Sequence, residues 1–262
     1  MKGYQRDNRG TTLAELLVAL AVSAVILTGI TYMLVTSLRV SGKNNAGVEV
    51  QSEIQTTLNL IMDQIMEAEG ICMRISPGGD TKCILFGDTV VKKAGSNYTM
   101  HYKGKAFVAD TGAGGSGELY LAEFPNEAFP ADGEGYCELG NASSELGCVQ
   151  KSLDETVTYL ASLTAKERLR WLLGRNVVSC QILPESVYGE KTVKVNGVEQ
   201  IRPLFEEPFT LTVKLKVESE YGDGTVEREV SDLASVRSRM EKVYLTKPGE
   251  AENNMEIYER ER

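Results

Sequence analysis

Gly10 and Glu15 stand at the start of the longest uncharged stretch in the chain, and their residue types and spacing suggest chemistry. The stretch runs from Leu16 to Leu38 without a charged residue. At about 1.5 Å rise per residue, a helix of that length crosses the roughly 30 Å hydrocarbon core of a bilayer. A carboxylate within a bilayer costs on the order of 2.5–3.5 kcal/mol, so we expect Glu15 to have a partner and a function.

Three interpretations of this N-terminal stretch compete. A cleaved secretory signal peptide has an apolar region of about 7–15 residues followed by a small-residue cleavage site, but this stretch is longer and continues into Thr36-Ser37-Leu38-Arg39. A plain signal anchor fits the length and leaves Glu15 unexplained. A third interpretation accounts for the glycine, the acid and the apolar segment together.

The third interpretation rests on the sequence Arg9-Gly10-Thr11-Thr12-Leu13-Ala14-Glu15, in which four uncharged residues separate the glycine from the glutamate. This pattern resembles the processing motif of type IV prepilins and their pseudopilin relatives, and the resemblance covers only the leader and the apolar stretch. It implies that a prepilin peptidase cuts after Gly10 and that Thr11 becomes an N-methylated first residue. It also implies that Glu15 meets the N-terminal amine of a neighbouring subunit during assembly. The family usually has Phe where this chain has Thr11.

The charge distribution indicates an acidic domain on the far side of the membrane. The chain has a formal net charge of −9, whereas the leader is basic, with Lys2, Arg6 and Arg9 against Asp7. A basic leader favours a cytoplasmic N-terminus. The acidic remainder lacks the clustered Lys and Arg that electrostatic binding to nucleic acid needs. Together with the resemblance, this implies a single-pass protein of the cytoplasmic (inner) membrane, with its globular domain exported and, after assembly, part of a periplasmic or cell-surface filament.

Five cysteines fit an exported chain. Cys72 and Cys83 have the same spacing as Cys137 and Cys148, and each spacing suits a local disulfide that contributes up to about 3 kcal/mol. Other pairings remain open, and buried thiols are the alternative. Cys180 lies on the inward face of an expected strand, so we predict that it is an unpaired, buried thiol.

The N-terminal helix is expected to continue beyond the membrane. After the polar stretch from Ser41 to Gly47, apolar residues recur every three or four positions. They are Val50, Ile54, Leu58, Ile61, Ile65 and Ala68. This periodicity predicts an amphipathic helix whose apolar stripe packs on a sheet and whose C-cap is Gly70.

Beyond Gly70 the pattern predicts short strands with helical insertions. Strands are expected at 72–75, 82–86, 98–102, 105–108, 118–121 and 176–183, and Asn196-Gly197 predicts a hairpin joining 191–195 to 198–202. Residues 123–150 are loop-rich. Capping-box patterns at Ser152–Glu155 and Thr164–Glu167 predict helices near 153–162 and 165–173, the second ending at Gly174.

The clearest strand runs from Phe209 to Glu218, where apolar and polar residues alternate as in a sheet with one buried and one wet face. A turn at 222–224 returns the chain along 225–230. We prefer the register that pairs Leu215 with Val230 and Lys216 with Glu229, because the slipped register opposes Glu218 and Glu229. Residues 232–240 are expected to form a turn or short helix, 242–245 a final strand, and the tail from Pro248 to be disordered.

The sequence displays no catalytic, cofactor or metal motif. His101 is the only histidine, and no C-x-x-C spacing is present. The glycine-rich stretch 111–117 lacks the Lys-Ser/Thr ending of a P-loop, so we predict a flexible loop there. Trp171 is interpreted as a core anchor. Four aspartates in expected loops form no calcium-binding run: Asp80, Asp88, Asp110 and Asp132.

The sequence therefore predicts an α+β fold, with a long N-terminal helix packed on an antiparallel sheet and with loop and short-helix insertions. The expected parts are a leader (1–10), a membrane half (11–40) and an amphipathic half (41–70) of the helix, an exported domain (71–247) and a flexible tail (248–262). The resemblance implies a structural protein and no enzyme. It would be a minor pilin or large pseudopilin that joins other pilins or pseudopilins in a type IV pilus-like filament of a pilus, competence or type II secretion system. The alternative is a membrane-anchored exported binding module or adhesin that is not assembled into a filament.

Overall fold

One continuous helix dominates the fold. The computed structural model describes residues 12–110, 117–185, 187–195, 198–221, 224–246 and 254–260. Helix α1 spans Leu13–Glu67, about 80 Å at 1.5 Å per residue. The polar stretch from Ser41 to Gly47 stays helical, since it contains no proline. The C-cap is Ala68 in an extended conformation, so the prediction of a Gly70 cap is wrong.

Strands make up most of the remaining described chain. Two further helices are α2 (Glu145–Ser162) and α3 (Ala165–Arg168). The strands are β1 (Gly70–Ile75), β2 (Thr81–Ala94), β3 (Asn97–Asp110), β4 (Gly117–Phe124), β5 (Cys137–Ala142), β6 (Leu172–Pro184), β7 (Val187–Val195), β8 (Val198–Phe205), β9 (Thr210–Tyr221), β10 (Gly224–Ser235), β11 (Lys242–Thr246) and β12 (Met255–Arg260).

These strands form one mixed sheet, in the order β10-β9-β6-β4-β3-β2-β1-β11-β12-β8-β7, with β5 added to β3. The predicted α+β class is confirmed. The expectation of an antiparallel sheet needs one correction, because β1 pairs with β11 and β12 pairs with β8 in parallel. In both exceptions, one of the last two described strands pairs with a strand that is not its neighbour in the sequence.

The sheet has a helix on each face. The predicted stripe of α1 is buried, from Val50 to Ala68, and packs mainly over β9 and β10. On the opposite face, α2 packs against β5, β3 and β2. The predicted wet face therefore exists along β9, where Lys214 and Lys216 are partly exposed, but not at β1–β3, whose two faces are both covered.

The β9–β10 hairpin has the predicted register. Leu215 lies opposite Val230, and Lys216 lies opposite Glu229. The Lys216 Nζ pairs diagonally with the Glu227 carboxylate at 2.8 Å, and the hydrogen bond to Glu227 raises the pKa of Lys216. The strand from Lys242 is also present. Asn196-Gly197 lies outside the described residues, although β7 and β8 flank it with Val195 opposite Val198.

Two predicted strands, 98–102 and 105–108, are a single strand. Gly104 lies in the middle of β3, directly opposite Gly87 of β2, so the glycine does not form a turn. A Cβ on Gly104 would lie 2.2 Å from the Phe86 carbonyl oxygen. The glycine is required for the close approach of two strands.

The helical insertion begins earlier than predicted. The N-cap of α2 is Ser144, whose Oγ accepts the Gly147 N–H at 3.1 Å. Ser152 lies inside the helix, where its hydroxyl donates to the Cys148 carbonyl at 2.9 Å. The Thr164–Glu167 capping box is present, but α3 ends at Arg168. Gly174 belongs to β6, where its backbone packs against Thr57 of α1.

The C-terminal region differs most from the sequence-based expectation. β10 continues to Ser235, so residues 232–235 are strand rather than turn or helix. The expected disordered tail contains β12, which pairs with β11 from Met255 to Glu259. Its Ile257 and Tyr258 are both buried. Their side chains point to opposite faces of the sheet, and each packs in the core on its own face.

Candidate assembly site at the start of the long helix

The first turn of α1 fixes the position of Glu15. Thr12 is the N-cap residue, in an extended conformation with φ −70° and ψ 151°. The Thr12 N–H donates to Glu15 Oε2 at 2.9 Å, and the Glu15 N–H donates to Thr12 Oγ1 at 3.3 Å. This reciprocal pair is a capping box, which satisfies two N–H groups that a helix start otherwise leaves free.

The role of Thr12 as the N-cap residue of α1 was not predicted from the sequence. The signal was present, because Thr12-Leu13-Ala14-Glu15 has the same spacing that predicts capping boxes at residues 152 and 164. Of these three patterns, the ones at Thr12 and Thr164 start helices and the one at Ser152 does not. The pattern marks a helix start only where the preceding chain is not already helical.

The membrane half of α1 is exposed along its whole described length. From Leu13 to Val40 no residue is buried, and beyond Leu13 apolar side chains such as Met33 are up to 74% exposed in this segment. By length and composition this helix can cross a membrane. Glu15 is the only charged residue between Thr12 and Leu38, so its carboxylate has no cation to pair with along the apolar stretch of its own helix.

Gly10 and Thr11, the two residues of the predicted cleavage site, lie outside the described residues. The structure therefore places only Glu15 of the predicted site. Its Oε2 is engaged by the capping box, and a carboxylate oxygen can accept further hydrogen bonds. An exposed carboxylate at the start of an apolar helix can bind an ammonium group supplied from outside the described residues, either from its own N-terminus or from another chain.

The outer half of α1 is fixed to the domain by polar as well as apolar contacts. Glu53 accepts the Arg175 backbone N–H at 2.8 Å, and the buried Thr57 hydroxyl donates to the Leu173 carbonyl at 3.4 Å. Near the helix end, the Arg237 N–H donates to the Met66 carbonyl at 3.1 Å. These contacts join the helix to both β6 and the segment after β10, so the helix and domain move together.

All five cysteines are buried free thiols, so neither predicted local disulfide is formed in the structure. In the β1–β2 ladder Cys72 lies opposite Leu85 and Cys83 opposite Arg74. The two cysteines are therefore diagonal neighbours, roughly 7–8 Å apart between Cα atoms, which exceeds the usual span of a disulfide.

The two thiols of the second predicted pair, Cys137 and Cys148, donate hydrogen bonds to different carbonyl groups. The Cys137 thiol donates to the Tyr102 carbonyl at 3.3 Å, whereas the Cys148 thiol donates to the Gly140 carbonyl at 2.8 Å. Burial raises the pKa of both thiols to about 11. Cys180 is fully buried, as predicted, and burial raises its pKa to about 12. Low thiolate content makes these cysteines poor nucleophiles.

The remaining candidates form no catalytic arrangement in the described part of the chain. His101 Nδ1 lies 3.4 Å from an Asp132 carboxylate oxygen, and no group of three His, Cys, Asp or Glu residues there is placed to hold a metal. Trp171 is partly buried against the core beneath α2, with the Arg170 guanidinium 4.8 Å from its ring centroid. Of the glycine-rich stretch, 111–116 lies outside the described residues and Gly117 begins β4.

Comparison with curated proteins and with solved structures gives no match for this chain. A model of the prokaryotic N-terminal methylation motif matches residues 5–31. That range contains Gly10, Thr11 and Glu15, together with the first half of the exposed apolar helix. Over this N-terminal segment, the chain is similar to type IV prepilins.

Proposed function

We propose that this protein is a structural subunit, a minor pilin or large pseudopilin, of a type IV pilus-like filament in a pilus, competence or type II secretion system. The observation that carries the proposal is the prepilin-type motif at residues 5–31, within which a 55-residue helix with an exposed membrane half begins. An exposed apolar helix of this length needs a cover, which is lipid before assembly and other helices afterwards.

Processing would expose the group that Glu15 binds. Hydrolysis of the Gly10–Thr11 peptide bond by a prepilin peptidase gives a Gly10 carboxylate and a Thr11 ammonium, which remains charged at neutral pH and would then be N-methylated. The ammonium of one subunit pairs with the Glu15 carboxylate of another, which neutralises two charges that are costly in an apolar surrounding. The capping box holds this carboxylate at the end of the helix.

The proposed location follows from the same segment. The basic leader stays in the cytoplasm, α1 crosses the inner membrane, and the acidic domain lies outside. Before assembly the apolar half is solvated by lipid. After assembly the domain lies on the filament surface, because the outer half of α1 is already packed against it.

Processing is tested by determining the N-terminus of the protein from cells that produce the filament. We expect Thr11 at the N-terminus of the wild-type chain and Met1 for Gly10→Val. Wild-type protein that keeps Met1 in assembled material would falsify the proposal.

The role of Glu15 is tested with Glu15→Gln, which retains the shape and the capping pattern but removes the charge. We expect normal processing and a reduced share of the processed chain in filaments. Glu127→Gln, at a side chain that is 97% exposed, is the matched control and should assemble normally. Equal incorporation of both variants would remove the assigned role of Glu15.

The second candidate function is a membrane-anchored binding module or adhesin. One observation favours it, a surface cavity of about 610 Å³ whose lining includes Tyr159 and Trp171. Such a protein would need the apolar helix as an anchor but not the charge of Glu15. Full surface display and ligand binding by Glu15→Gln, with no filament fraction in the wild type, would favour this candidate.

A further inference from the structure

The flank of α1 that faces β10 forms an open groove. It runs between residues 43–55 of α1 and the strand residues Val226 and Arg228, with a volume of about 550 Å³. At its rim Val48 is 70% exposed. Lys43 and Arg228 are exposed as well, and neither has an ion-pair partner among the described residues. The groove thus combines one exposed apolar side chain, Val48, and several polar ones with two unpaired cations.

The other flank of the same helix segment is acidic. Glu49 and Glu67 are 18 residues apart, which is five turns, so they share one angular position. Asp63 and Glu53 lie within roughly 40° of that position, and Gln51 in the groove lies about 160° away. Within the described chain, Glu49, Asp63 and Glu67 are exposed and have no cationic partner.

Glu53 accepts the Arg175 N–H, but the spacing of the four acids does not stabilise α1 as a helix. Glu49 and Glu53 are four residues apart, and so are Asp63 and Glu67. Like charges at this spacing destabilise a helix. Their arrangement on one flank, opposite a flank with unpaired cations, is what a contact between two copies of the helix requires.

We propose that the groove receives the acidic flank of α1 from a second copy of this chain. The proposal rests on the proposed filament function and names the partner of its helix. Because one flank meets the other, the contact is heterologous, and such a contact builds an open filament when its rotation does not close into a ring. Complementary charges set partner choice and register at such contacts.

The axial register agrees with the Glu15 contact. If the Thr11 amine of one copy meets Glu15 of the next, the two helices are displaced by at most about four residues, or roughly 6 Å. Glu49 of the displaced copy then lies beside residues 45–49 of the first. Glu53 lies beside residues 49–53. Both acids therefore fall within the 43–55 range of the groove.

A cross-linking experiment tests the two-flank arrangement. Gln51→Cys places a thiol in the groove, and Thr56→Cys places one on the exposed acidic flank. The two variants are co-expressed as full-length chains and treated in membranes and in filaments with a short bis-maleimide. We expect a dimer from the mixture and none from either variant alone, or from the parent chain, whose own cysteines are buried. Gln51→Cys that links to itself, or only to a different protein, overturns the proposal, and so does the absence of a link in assembled chain.

A charge exchange tests the partners. Lys43→Glu should lower the cross-linking yield about tenfold, and the double variant with Glu49→Lys should restore most of it, since the pair is reversed in every copy. Lys166→Glu on α3 makes the same charge change elsewhere and should have no effect. An unrestored double variant contradicts the pairing. A link that forms in the membrane of cells without the chain in any filament contradicts the filament function and leaves the pairing intact.

Discussion

Gly87 and Gly104 lie directly opposite each other in the β2–β3 hairpin. A Cβ on Gly104 would lie 2.2 Å from the Phe86 carbonyl oxygen, and one on Gly87 would lie 2.4 Å from the Lys103 carbonyl oxygen. Beyond this pair the hairpin leaves β1 and β4, and β3 pairs with β5 instead. The two glycines allow one long hairpin to pair with β1 and β4 on one side of this crossing and with β5 on the other.

Replacing Gly104 should be costly. Gly104→Ala forces the two strands apart, because the clash is with backbone, and we expect a loss of about 2–3 kcal/mol in the free energy of unfolding. Gly133→Ala is the control, since no atom lies within 4 Å of its Cβ position. Thermal unfolding of the full-length chain in detergent measures both, and equal melting temperatures would contradict this account of Gly104.

Replacing Asp154 should destabilise the protein more than replacing Arg74, its partner in an ion pair. The Arg74 side chain is 8% exposed and that of Asp154 is 59% exposed. Asp154→Ala leaves a buried cation without its carboxylate and should cost about 2–4 kcal/mol. Arg74→Met leaves an acid that water solvates and should cost about 1 kcal/mol or less. Urea unfolding of both variants gives the comparison, and a larger loss for Arg74→Met would show that this explanation is wrong.

Stability should fall in alkali because the thiols are buried. Burial raises the pKa of Cys83 and Cys180 from 9.0 to about 12. Between these values the unfolded chain loses thiol protons that the folded chain keeps, so stability is retained below pH 9 and lost above it. Each thiol then contributes a loss of about 1.4 kcal/mol per pH unit. Unfolding from pH 8 to pH 11 measures the slope, and Cys180→Ala should make it shallower. An unchanged slope would contradict the assignment of this loss to the thiols.

The final described strand should be essential to the domain. Ile257 of β12 is 6% exposed, so Ile257→Asp buries a carboxylate and should cost at least about 3 kcal/mol. Glu256→Asp on the same strand keeps both charge and backbone and serves as the control. Limited proteolysis of the full chain should cut the first variant rapidly and the control slowly. Equal resistance would mean that β12 contributes little to stability.

Features set by local periodicity were predictable from the sequence. The stripe of α1 and the β9–β10 register follow from residues whose spacing admits only one buried face, as with Leu215 and Val230. The N-terminal motif, which a family model matches at residues 5–31, was predicted from Gly10 and Glu15, whose spacing is local too. These predictions needed no knowledge of which distant strands meet.

Features set by distant partners were not predictable. From the sequence alone, Gly104 indicates a turn. Its position within a strand is explained only by Gly87, which lies opposite it. β12 carries charges at Glu256, Glu259 and Arg260, which resemble a solvated tail, because its pairing with β11 and β8 is invisible in the sequence. The groove beside α1 was missed for the same reason, since Arg228 reaches it from a strand far along the chain.

The position of β12 also determines when the sheet can close. β12 lies between β11 and β8, and in the described sheet it is the strand through which β7 and β8 join the rest. Along the chain β12 follows both of the strands that it joins. Under the proposed export, in which the N-terminus leads, the seam between β11 and β8 therefore stays open until Arg260 has crossed the membrane. During that interval the unpaired edges of β11 and β8 are accessible to other strands, and a stalled intermediate would be the form most prone to aggregation.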